Sequence, residues 1–262
     1  MRSTTKVILL LALLISLPNL PILAGGLGSD KLLWEANQLF RDYKDSEALE
    51  KYEQVLANDP LQMEALCKAS LVSGRIGNRF SDDTSKGIYF KKAFAFAERA
   101  VAAEPAKAEP NYVMALALSY LCHTASLKVR MEQMVQVKYH LDAALASDPE
   151  HAASWHLLGR LKYKLANLSF AERTASKLFN ISQLPVETNE QAIEAIKKSI
   201  ELAPSNLLYY YDLARVQREV NQKTECVTTL QKALDQKLIT TEDLELNRKC
   251  KVLLQEVMNV RS

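Results

Sequence analysis

Two short stretches carry the side chains best suited to chemistry. His156, Arg160, Tyr163 and Lys164 are spaced so that one face of an α-helix would gather them, and Tyr211, Arg215, Arg218 and Glu219 repeat that spacing. Arginine offers a planar fork of donors that fits a carboxylate or phosphate, and tyrosine offers flat apolar area with a polar tip. Such a face is suited to holding an anionic chain segment. Tyr112, Leu116 and Tyr120 extend the same register toward the N-terminus, and Arg75 adds one further cation.

Catalytic patterns are missing. His123, His140, His151 and His156 form no HExxH or Cys/His cluster, and Cys67, Cys122, Cys226 and Cys250 contain no CxxC pair. The cysteines read as small, reduced core residues. Gly25-Gly26-Leu27-Gly28 lacks the strand and the lysine of a phosphate loop. The chain is therefore read as a non-enzyme with no metal and no cofactor. Lys and Arg total 33 against 31 Asp and Glu, for a net charge of +2, and the basic residues are dispersed. Nucleic acid is not an expected partner.

The elements that position these side chains are legible from four prolines. Pro60, Pro105, Pro149 and Pro204 each follow a small residue by five places, at Val55, Ala100, Ala144 and Ser199. Aligned on the prolines, the chain reads as a helix-pair repeat of the tetratricopeptide type, whose unit is about 34 residues. Five units result: Ser29 to Gln62, Met63 to Lys107, Ala108 to His151, Ala152 to Asn206, and Leu207 to Thr240. Ala36, Ser70, Ala115, Gly159 and Ala214 share one column, and Ala48, Ala93, Val137, Ala192 and Cys226 share another. Small side chains there allow two helix axes to approach toward the lower end of the 8–10 Å packing range. Tyr52, Ala97, Leu141, Ile196 and Leu230 fill the column between them. The fold class is all-α, a tetratricopeptide-like solenoid of about five helix pairs. Thr241 to Met258 is expected to cap it, with Leu244, Cys250, Leu253, Leu254 and Val257 as its apolar stripe.

Units two, three and four exceed the standard length, and the excess is placed between their two helices. The first insertion, with Gly74, Gly77, Ser81, Asp82, Asp83, Ser85 and Gly87, reads as a loop. The second, around Leu127 to Met134, has no Gly or Pro and is expected to lengthen the flanking helices. The third, Asn167 to Asn189, begins with helical spacing that Pro185 stops.

The run Trp155-His156-Leu157-Leu158-Gly159-Arg160, followed by Leu165 to Arg173 and by Leu178-Phe179, resembles the regulator of microtubule dynamics family. Ile239 to Asp243 is also similar to the family's segment before the last helix. Phe170 stands where a Trp is commoner, and Lys162-Tyr163 where an aromatic-Cys pair is often seen. The resemblance implies a non-catalytic helical scaffold, in some members anchored in a membrane and linked to microtubules or organelle contacts.

Residues 1–24 combine Arg2 and Lys6, an apolar run from Val7 to Leu17 and a small-residue site at Ala24. That is the pattern of a secretory signal peptide, with an uncleaved N-terminal anchor as the alternative. Residues 25–30 then read as a flexible lead-in and 31–258 as the repeat domain. Export, periplasmic or secreted, would separate the chain from cytoplasmic tubulin. Two functions remain open. In one, the basic and aromatic face (His156, Arg160, Tyr163, Lys164, Tyr211, Arg215, Arg218) binds an acidic segment of a partner protein. In the other, the insertions close the groove around a lipid or small ligand.

Overall fold

A computed structural model describes residues 24–181 and 184–259, and within them every regular element is an α-helix. The order is α1 (Ala24–Arg41), α2 (Asp45–Asn58), α3 (Met63–Arg79), α4 (Asp83–Ala103), α5 (Ala108–Leu121) and α6 (Leu127–Ser147). There follow α7 (Ala152–Ala166), α8 (Phe170–Leu178), α9 (Asn189–Leu202), α10 (Leu207–Glu219), α11 (Lys223–Leu234) and α12 (Thr241–Asn259). Units two to five of the sequence register begin at the first residues of α3, α5, α7 and α10. The expected signal or anchor lies outside the described residues, except for Ala24. Residues 25–30 belong to α1 rather than to a separate lead-in.

Each proline sits just past a helix end and does more than stop it. A proline cannot continue a helix, but its carbonyl remains free to accept. The Pro105 carbonyl accepts from Asn111 Nδ2 at 2.7 Å, that of Pro149 from Trp155 Nε1 at 2.8 Å, and that of Pro204 from the Tyr210 hydroxyl at 2.9 Å. In all three the donor stands in the first turn of the next helix, so the bond fixes the angle between successive units. Pro60 instead receives Arg99 Nη2 at 2.8 Å.

The small-residue columns are buried throughout, and the space they leave is filled by their neighbours. Ala36, Ala115, Ala214, Ala48, Ala93, Ala192 and Cys226 are wholly inaccessible. Gly159 shows why nothing larger fits at one crossing: a Cβ built there would lie 2.5 Å from Ile196 Cγ1 and 3.0 Å from both Ala192 O and Ile196 N on α9. Two of those three contacts are backbone, which cannot turn aside. One apolar core runs from α1 to α7. A second set of Ile193, Ile196, Leu213 and Val216 joins α9 to α10, and a third joins α10, α11 and α12. Ile200 packs against both of the last two, so the core passes from unit to unit as a stack of nearest neighbours requires.

The insertions are resolved differently from one another. The first is not a loop: α3 continues to Arg79 and α4 starts at Asp83, capped by Asp82, whose carboxylate accepts from Ser85 N at 2.7 Å. Gly74 and Gly77 read as loop residues by type, yet they are sites of close packing. The Tyr120 ring lies against Gly74, and a Cβ on Gly77 would meet Phe90 Cε1 at 2.6 Å. The second insertion lengthens α6, as its composition implies. The third forms α8, whose Ser169 and Glu172 make a reciprocal capping box, and which packs on α6. In α12 the buried stripe is Leu246, Cys250, Leu253 and Val257; Leu244, expected within it, is exposed.

The contrast between two glycines gives opposite stability changes. Gly87 lies inside α4 with nothing within 4 Å of its would-be Cβ. Gly87→Ala is expected to raise stability by about 0.5–1 kcal/mol through backbone entropy alone. Gly159→Val should lower it by about 1–3 kcal/mol by overpacking. Urea unfolding of the two variants against the parent measures both.

Candidate functional site

A cavity of about 580 Å³ opens among α5, α6, α7 and α10. Its apolar wall comes from Leu116, Met134, Val137, Leu157, Leu161 and Val216, and its polar wall from Arg130, Arg160, Lys164, Asp212, Arg215 and Glu219, with Tyr120 and Tyr163 between. Three first helices supply most of it, which is where the register places its recognition positions. Arg130 and Met134 come from the extension of α6, so the second insertion builds one side.

Of the candidate residues, Arg160, Tyr163, Lys164 and Arg215 are brought together here. His156 is not among them. It is 5% exposed, stacks on Tyr209 with ring centroids 4.5 Å apart, and binds Asp212 through Nε2 at 2.9 Å. Tyr211 and Arg218 face a second, shallower hollow of about 270 Å³ beside α12, shared with Arg248, Lys249 and Glu256, and only Arg215 borders both. Arg75 is withdrawn from the cavity: with Arg79 it is ion-paired to the fully buried Asp45, and its guanidinium stacks over Phe40 at 4.3 Å and Tyr43 at 4.9 Å.

The cations differ in how fully they are satisfied. Lys164 Nζ lies 2.7 Å from Glu172, and Arg218 donates to Glu219 at 2.8 Å and Glu256 at 3.0 Å. Arg160 and Arg215, by contrast, lean on one carboxylate, Asp212, each at 3.7 Å, beyond hydrogen-bonding reach. Both stand about half exposed, at 48% and 57%. Two forks over one buried carboxylate leave a surplus positive charge and free donors facing the cavity. Planar donors placed in this way are chemically suited to an anion.

Asp212, Arg130 and Glu172 are residues the sequence register passed over. Burial acts to raise the Asp212 carboxyl, but the hydrogen bond from His156 and the charges of Arg160 and Arg215 outweigh it and hold it below the usual carboxylate range. An ionised Asp212 only accepts, so His156 carries its proton on Nε2. Burial pulls the His156 pKa down, against the opposing pull of Asp212. His123 and His140 are also lowered, chiefly by burial. The cavity's Cys122 thiol is pushed up to about 11 by burial, which keeps it protonated and a poor nucleophile at neutral pH.

A pH dependence follows, and its sign is set by the lowered histidines. Each takes up a proton more readily when unfolded, so folding stability is full above the unfolded histidine value of about 6.5 and declines as pH falls toward the lowered folded values. Thermal unfolding from neutral pH to about pH 5 should show this decline. His156→Gln should lower stability at neutral pH while flattening the slope.

Comparison with known proteins agrees with the helical-repeat fold. The family model described as regulator of microtubule dynamics protein 1-3 matches residues 32–258. Regulator of microtubule dynamics protein 2 of Homo sapiens is 25% identical over 227 residues, covering 86% of this chain and 51% of that protein. Protein 1 of Mus musculus is 24% identical over 178 residues, covering 66% and 57%. Protein 1 of Caenorhabditis elegans is 32% identical over 124 residues, covering 46% and 53%. The chain thus spans about half the length of these curated relatives. Among solved structures, a thermophilic TPR protein of Thermus thermophilus superposes with a TM-score of 0.64 at 18% identity, over 86% of this chain and 98% of that one. The fold is a tetratricopeptide-type helical repeat, a scaffold architecture, and the chain belongs to the regulator of microtubule dynamics family.

Proposed function

We propose that this scaffold binds an acidic segment or chain terminus of a partner protein in the cavity among α5, α6, α7 and α10. The observation that carries the reading is the pair Arg160 and Arg215, held near Asp212 but beyond hydrogen-bonding reach of it and half exposed. Tyr120 and Tyr163 supply flat walls, and the volume suits a few side chains rather than a folded domain. The proposed setting is export, or attachment to a membrane by residues 1–24, and sequencing the N-terminus of the mature protein tests it. In an exported chain the microtubule association in the relatives' name does not carry over.

The second reading, a lipid or small ligand, is favoured by the apolar half of the same wall and by a volume within the usual small-molecule range of about 300–1,000 Å³. Native mass spectrometry before and after organic extraction separates the two, since a resident lipid leaves on extraction and a peptide site starts empty.

A peptide array ending in Asp or Glu is the direct probe. Arg160→Glu with Arg215→Glu should weaken binding by more than about tenfold, each lost charge-assisted contact contributing about 1.5–3 kcal/mol. Lys91→Glu, on the exposed side of α4 and away from the cavity, should leave it unchanged. Binding should also weaken as salt rises. If the double variant binds the same peptides with parental affinity, the peptide reading is wrong.

A further inference from the structure

The third insertion is fastened to the body by acids that both point inward. Glu172 is buried, meeting Lys164 at 2.7 Å, Arg130 at 3.8 Å and the Ser169 amide at 2.8 Å. Glu187, also buried, meets Lys162 at 2.5 Å. These are the only two acidic residues from 170 to 188. Neither carboxylate of the segment is therefore turned outward, while Arg173 and Lys177 are exposed.

On α8 the buried side is Glu172 and Ala175. Helical geometry sends Phe170, Arg173, Thr174 and Lys177 the opposite way, with Leu178 at one margin. Phe170 is 81% exposed and Leu178 75%, and Val186 further along the insertion is 96% exposed. None of these apolar side chains helps hold the fold together. Lys128 of α6 stands beside Phe179, its ammonium 5.7 Å over that ring and 3.8 Å from Glu132.

We infer that the outward face of α8 docks on an anionic membrane surface, with Phe170 and Leu178 entering the headgroup region and Arg173 and Lys177 meeting lipid phosphates and carboxylates. A short amphipathic helix lying in the interface combines these features: apolar tips for the acyl boundary and basic residues at its margin. Charge decides against a second copy as the occupant. A two-fold contact would set Arg173 and Lys177 against the same cations of its mate, with no outward acid on α8 to neutralise them. The face is separate from the proposed anion site at Arg160 and Arg215, and the inference does not rest on the peptide reading.

Phosphatidylcholine vesicles, with and without phosphatidylserine, and the full chain carrying Phe170→Trp provide the test. The indole introduced at that site, read as the difference from the parent, should shift to the blue. Brominated acyl chains should quench it, but only in vesicles containing phosphatidylserine. Adding Arg173→Glu with Lys177→Glu should weaken that response by at least about tenfold, since each basic residue at such a surface is worth about 1 kcal/mol. Arg160→Glu with Arg215→Glu should leave it intact. An indole that stays unquenched with anionic vesicles, or is quenched equally after the two charges are reversed, overturns the inference. So does a chain that is dimeric through this face, shown by Phe170→Asp converting it to monomer.

Discussion

Close approach of helix axes at residues no larger than alanine is the constraint on which this molecule rests. At Gly159 the limit is visible atom by atom, because the Ile196 side chain and the backbone of α9 crowd the place where a side chain would begin. The same closeness recurs at Ala36, Ala115 and Ala214, all wholly buried. Tight crossings hold the two helices of a unit together, and the stacking of one unit on the next places the next first helix. The placing of the two forks is a consequence: α7 carries Arg160 and α10 carries Arg215, and both stand near Asp212 because units four and five stack closely enough for His156 of one to bond Asp212 of the other at 2.9 Å. A wider crossing would separate the two forks.

Buried ionic seams complete what apolar packing leaves open. Asp45, fully buried at the start of α2, gathers Arg75 and Arg79 from α3, while Glu172 gathers Lys164 and Arg130 from α7 and α6. A buried carboxylate without partners would carry a desolvation penalty of several kcal/mol, so each seam is tolerable only when its cations are present. This divides the cations around the cavity into two groups. Those in seams are structural, and Lys164 is one of them. Those held loosely, Arg160 and Arg215, retain donors for something outside the chain.

The architecture was legible in the sequence because its determinants are steric and local. A proline past a helix end and a small residue at a fixed offset mean the same thing in every unit, so agreement among columns exposed the register, and α3, α5, α7 and α10 begin at its boundaries. The loop reading of the first insertion failed for a related reason. Glycine marks both turns and close contacts, and residue type cannot show that the Tyr120 ring lies against Gly74 and that of Phe90 against Gly77. Half of the site was equally hidden. Asp212 lies 56 positions from His156, and only the stacking angle brings them together. Glu172 was closer to view, since Ser169 three residues before it spells a capping box, although its second task of holding Lys164 and Arg130 has no local signature.

The insertions show how a repeat protein acquires individual surfaces without disturbing its stack. Adding residues between the two helices of a unit leaves both crossings intact, so the extension of α6 can wall a cavity and α8 can be laid over α6 while the core columns stay in register. Each addition still has to satisfy its own polar groups. The third does so with an internal capping box and two inward acids, and the capture of both acids is what leaves its far side basic. The same contacts that fasten the insertion thereby give its outer face a charge that the near-neutral chain as a whole does not have.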